Sequence, residues 1–218
     1  MQALSTTYLP VSEGELIKTA LGASWGALHP NIQRRFDHNP TTTEQLYYQG
    51  TLDNLWCSTA GKWLARFTSP LLGGVLIPAC QQHVPVDIVV FSKPDDKRIY
   101  KRRWYHLAKS SPIIFTSHMA LGEDNVLLEY VGAGFGMGLK LSVVEGDLHF
   151  HSCGYFWEIF GVKIPLPNIL TPGATWLIHH NVSAQEFSIK IVITHRWFGR
   201  TFLQEGRFHS TDKSFNFS

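Results

Sequence analysis

The stretch VDIVVFSKPDDKRIYKRRWYHL, residues 86–107, decides the fold. Two runs rich in Val, Ile and Tyr flank the polar segment KPDD, and their side chains alternate with a period of two, so the stretch reads as two strands joined by a tight turn. The same grammar continues downstream in PIIFTSHMAL (112–121), NVLLEYVGAG (125–134), GMGLKLSVVEG (136–146), DLHFHSCGYF (147–156), TWLIHHNVS (175–183) and EFSIKIVITHRW (186–197). Their separators are short and polar, which permits hairpins but not the crossovers that parallel pairing needs. The expected fold is therefore α+β and mainly β. It is a long curved antiparallel meander of about seven to nine strands, or an incomplete β-barrel, because a sheet this long twists and curls.

Upstream the period lengthens. Ser12 followed by Glu15 has the spacing of a capping box, and Leu16, Ala20 and Leu21 continue at helical intervals. From Thr51 to Phe67, Leu52, Leu55, Trp56, Ala60, Trp63, Leu64 and Phe67 recur every three or four residues. That spacing predicts a main helix with Asp53 in its first turn and Trp63 at the centre of a buried face. The helices are expected to pack on the sheet or to plug one end of it. The whole chain, 1–218, reads as one domain with a helical part over 1–75 and a meander over 84–210.

Composition narrows the classes of function. A net charge of +2 is too small for a nucleic-acid binder. Cys57, Cys80 and Cys153 show neither CxxC spacing nor an even count, so neither a disulfide scaffold nor a zinc site is expected. The N-terminus has no basic start leading into an apolar core, and no run reaches the ~20 apolar residues of a membrane span, which predicts a cytoplasmic protein. Charged residues are 17% of the chain and aromatics 13%. That aromatic surface must be absorbed by the core, an interface or a cavity.

Within RIYKRRWYHL, alternation sets Tyr100, Arg102 and Trp104 on one face and Arg103 on the other. If the aromatic face is concave, Arg102 is a planar cation held among rings, able to fix a ligand anion or to pair with Glu129, which projects from the apolar run VLLEYV. His149 and His151 share a strand face that Cys153 and Tyr155 extend, and His118 could join them only in a suitable register. A metal would need more ligands than this pair, so no metal and no cofactor is expected. The GAGFGMG run (132–138) lacks the helix and Lys of a phosphate loop. Its alternate glycines instead allow bending or close approach. GVKIPLPNILTPG (161–173) is too long for a tight turn and is either an apolar lid or a segment packed on the helix.

LHPNIQRRF (28–36), YKRRWY (100–105) and GYFWEIFGVKIPLPNILTPG (154–173), in this order, resemble a bacterial domain family of unassigned function, found alone or attached to saccharopine-dehydrogenase-like reductase domains. The likeness spans roughly residues 20–208. It implies that the family's aromatic-x-Arg-x-aromatic motif falls on Tyr100, Arg102 and Trp104, its acidic residue on Glu129, and its Gly-x-x-x-Pro-x-Pro loop on Gly161, Pro165 and Pro167. It also implies a reductase as partner protein. The function expected from these features is binding of an apolar or amphiphilic small molecule in a cavity of the curved sheet, in a carrier or accessory role. The alternative is a small barrel enzyme, cyclase, isomerase or hydrolase-like, acting on such a ligand. Expected ligand contacts are Tyr100, Arg102, Trp104, Glu129, His118, His149 and His151; catalytic residues are not assigned.

Overall fold

The computed structural model describes residues 12–37, 45–72, 76–93 and 96–211. The centre of the KPDD turn, Pro94 and Asp95, lies outside them, as does the side chain of Phe67. The chain runs through α1 (Glu13–Leu21), α2 (Pro30–Phe36), β1 (Leu46–Cys57), α3 (Thr59–Leu72), β2 (Val84–Lys93), β3 (Asp96–Tyr105), β4 (Ile113–Leu121), β5 (Leu127–Gly132) and β6 (Phe135–Val144). It continues through β7 (Asp147–Ile159), β8 (Val162–Pro165), β9 (Ala174–Asn181), β10 (Glu186–His195) and β11 (Gly199–Thr211).

All pairings are antiparallel, and the sheet closes on itself as a ten-stranded barrel. From β2 to β7 each strand pairs with the next, and β7 also pairs with β9 and with the short β8. β1 joins β2 to β11, which completes the ring; among the described residues β8 is the one strand outside it. Closure removes the exposed edges that an open sheet of this length would carry.

The main helix begins later than its spacing predicts. Residues 51–57 are the end of β1, and only from Thr59 does the chain turn helical. The cause is a bulge at Asp53, where the register to β11 slips between Leu52 and Asn54. An extra residue lets Leu52 and Leu55 enter the core from the same side although they are three apart, so a bulged strand imitates helical spacing. Trp63 is correspondingly not a core residue: it is 59% exposed, while Ala65 on the same helix is buried.

Two apolar clusters fill the barrel. α1 and α2 press Leu16, Ile17, Ile32 and Phe36 against the inner faces of β5, β6 and β7 at one end. The capping box forms as its spacing predicts, with Ser12 and Glu15 each accepting from the other's backbone N–H. At the other end α3 reaches β11 and β5, from opposite walls, and Ala65, Leu76 and Ile77 join Leu55, Val86, Phe202 and Phe208. Between the two clusters the barrel is not fully packed.

Candidate functional site

The void in the upper half of the barrel has a volume of about 130 Å³. Its wall is apolar over most of its area, from Val131, Met137, Leu177, Ile191 and Phe202. Leu166, Leu170, Thr171 and Pro172 roof it from the β8–β9 loop. Leu170 is 62% exposed yet lines the void, so the cavity meets solvent beneath this loop. The apolar surface continues around that opening. Phe160 at the β7–β8 turn is fully exposed, and Val162, Ile164 and Ile169 are open to solvent. The GVKIPLPNILTPG segment thus roofs the cavity, one of its two expected placements.

A small set of polar groups interrupts the apolar wall. On β3 the odd-numbered residues face inward, and Arg103 enters the cavity. Its Nη1 donates to Ser117 Oγ (3.0 Å), its Nη2 lies 3.9 Å from Glu129 Oε1, and its guanidinium sits 5.2 Å from the Phe115 ring centre. Both members of this pair are largely screened from solvent, so each depends on the other for charge compensation. Across the cavity the Tyr155 hydroxyl donates to the Gly173 carbonyl (2.9 Å) and shares a hydrogen bond with Thr175 Oγ1 (2.7 Å). Burial pushes its phenol up to about 12, so it is a neutral donor at physiological pH. Burial also raises the Tyr105 phenol, beside Arg103 and Gln204.

The sequence-predicted residues separate into two sets. Glu129 lines the cavity. Tyr100, Arg102, Trp104 and His118 lie on the outer face, opposite to Arg103, which settles for β3 the choice of face that alternation leaves open. There Arg102 lies 5.3 Å from the Phe91 ring and 5.8 Å from that of Trp104, and its Nε donates to Thr116 Oγ1 (3.2 Å). The charge partner of Glu129 is Arg103, not Arg102.

Outside the barrel the rings form a continuous ladder. Phe91 stacks on Tyr100 (5.6 Å), Tyr100 meets His118 (5.3 Å), His118 stacks on Tyr130 (4.9 Å), and Tyr130 meets Phe156 edge-on (5.3 Å). Gly136 makes the last step possible, since a Cβ there would lie 2.6 Å from the Phe156 ring. Of the alternate glycines of GAGFGMG, Gly136 therefore admits a neighbouring ring, and part of the aromatic excess is spent on the outer face.

His149 and His151 are also outside. The register of β6 to β7 slips between Gly138 and Leu139, placing a bulge at Cys153. The face of His149 and His151 therefore does not continue to Tyr155, which turns inward. The two imidazoles pack on Trp176 (5.7 Å each), whose Nε1 donates to His149 Nδ1 (3.2 Å). Among the described residues no three His, Cys, Asp or Glu side chains gather as a metal site requires.

Arg103, Tyr105, Tyr155, Thr175 and Gln204 are not among the ligand contacts that the sequence suggests. Four strands, β3, β7, β9 and β11, contribute them, and only the register brings them together. One signal was available: with Glu129 inward, the even-numbered glycines of β6 mark the opposite face as the one that neighbouring side chains cover.

A closed antiparallel barrel with a mostly apolar, partly polar cavity is the class that this fold and site define. Within it, the chain belongs to the family described as domain of unknown function DUF4166, whose sequence pattern matches residues 28–208. No curated protein and no solved structure matches the chain. Among the described residues no helix is long and apolar enough to cross a membrane.

Proposed function

We propose that the barrel binds an apolar or amphiphilic small molecule in its upper cavity and serves as a carrier or as an accessory module to a reductase. The observation that carries this reading is the void itself: close-packed interiors rarely leave space of this size without a use. At about 130 Å³ it offers room for on the order of ten water-sized groups. It is close to the ~150 Å³ of an engineered apolar cavity that binds benzene. The void is smaller than the ~300–1,000 Å³ of most ligand pockets and suits a ligand portion of about six to ten non-hydrogen atoms. The apolar residues around the opening give the apolar part of such a molecule a path into the barrel.

Native mass spectrometry of protein purified from cells should show a small bound molecule, and an apolar fluorophore should bind and be displaced by short-chain amphiphiles. Ile191→Trp, which fills the cavity, should remove both signals while leaving the circular dichroism spectrum unchanged. A wild-type protein with neither adduct nor fluorophore binding would reject the reading.

Arg103 beside Glu129 in an apolar wall favours a second reading, a small enzyme in which Glu129 moves a proton and Arg103 steadies developing negative charge. It requires turnover that Glu129→Gln abolishes while binding persists.

A further inference from the structure

Below the ligand cavity, where α1 and α2 close the barrel, lies a second void of about 80 Å³. Ile88, Arg103 and Ile189 line both voids, so the two are adjoining chambers separated at the level of Arg103. The lower chamber is chemically unlike the upper one. Glu13, Arg35, Tyr48, Lys101 and His179 project into its wall together with Arg103.

The charges do not cancel. Lys101 pairs with Glu13, and Arg103 faces Glu129. Among the described residues Arg35 meets no carboxylate. Its guanidinium lies 4.5 Å from the Phe187 ring centre, one Nη reaches the Glu186 carbonyl at 3.5 Å, and the other is buried with no hydrogen-bond partner among the described residues. His179 is 5% exposed, held between the rings of Phe187 (4.7 Å) and Phe36 (5.1 Å), and its Nδ1 likewise has no partner. Burial, then Arg35 and Lys101, hold its pKa well below the ordinary value, so the ring is neutral. A buried, unpartnered guanidinium nitrogen and imidazole nitrogen at one small void are costly unless something polar fills it.

We infer that the lower chamber is the seat of an anionic head group, and that the ligand is a short-chain carboxylate amphiphile whose tail occupies the upper cavity. The inference rests on the reading of the upper cavity as a ligand site. One uncompensated positive charge matches one carboxylate, whose two oxygens suit a guanidinium fork. A phosphate monoester would bring close to two negative charges into a chamber that offers one.

The test compares decanoic acid, decan-1-ol and decyl phosphate by displacement of a fluorophore from the full chain. Decanoic acid should bind at least about tenfold tighter than the alcohol and tighter than the phosphate, as expected for one charge-assisted bidentate contact. Arg35→Met should weaken the acid by about tenfold or more and change the alcohol less than about twofold, whereas Arg35→Lys should keep a preference for the acid. Equal binding of acid and alcohol to the wild type overturns the head-group inference and leaves the upper cavity as a ligand site. Tighter binding of the phosphate overturns the choice of carboxylate, and equal weakening of acid and alcohol in Arg35→Met shows that Arg35 acts on the fold and not on the head. Binding of none of the three overturns the cavity reading itself, and this inference with it.

Discussion

Arg102 and Arg103 are neighbours on one strand and have nearly the same immediate surroundings. Each donates to a hydroxyl of β4, Thr116 for one and Ser117 for the other, and each lies about 5 Å from an aromatic ring, Phe91 or Phe115. What separates them is the next layer. Beyond Arg102 are other outer-face rings, whereas beyond Arg103 are Glu129 and a cavity. Ring-and-hydroxyl packing thus seats both arginines of β3 alike, and what distinguishes Arg103 is that it also meets an acid and a void.

The comparison is broken or sharpened first by removing each cation. Arg103→Met leaves Glu129 buried without its partner and should cost about 3 kcal/mol in urea unfolding. Arg102→Met, which strands no acid, should cost about 1 kcal/mol or less. Arg103→Met with Glu129→Gln should recover part of the larger loss. Equal costs for the two arginines would erase the distinction between the faces.

The outer ladder gives a smaller, pH-dependent effect. Burial, then the charge of Arg98, lowers the His118 pKa to about 4. The unfolded chain takes up a proton near pH ~6.5 and the folded one only near 4, so stability should fall as pH drops through that window. Allowing for the partial exposure of His118, the loss is on the order of 2 kcal/mol. His118→Phe keeps a ring between Tyr100 and Tyr130 and should remove this part of the pH dependence; an unchanged profile would mean that the histidine is not shielded. The smallest effect is expected at Trp63, on the exposed side of α3, where Trp63→Ala should change stability by less than about 1 kcal/mol.

Much of the fold was written in local pattern. The alternation from Val84 onward, the polar turns and the Ser12–Glu15 capping box each report structure within a few residues, and the observed strands and helix follow them. Two single-residue irregularities were not legible. The bulge at Asp53 made strand residues imitate a helix, and the one at Cys153 severed His149 and His151 from the face of Tyr155. The choice of face on β3 was equally hidden, because both sides carry an arginine and aromatic rings. Glu129 was visible as an acid in an apolar run, but its partner, and the meeting of Tyr155, Thr175 and Gln204 around the cavity, are consequences of strand register, which alternation does not encode.

The pairing of β1 with β11 also sets a clock on assembly. Thr51 lies opposite Arg207 in that ladder, and a Cβ at Gly206 would strike the Thr51 carbonyl, so the two strands fit together closely. On the ribosome, β1 emerges long before its partner exists and keeps one ladder of N–H and C=O groups open until the last strand arrives. A nascent chain that has reached β10 therefore offers two sticky edges. The ring closes only through contacts of very long sequence separation, which predisposes this barrel to slow folding and makes the interval before β11 its most aggregation-prone moment.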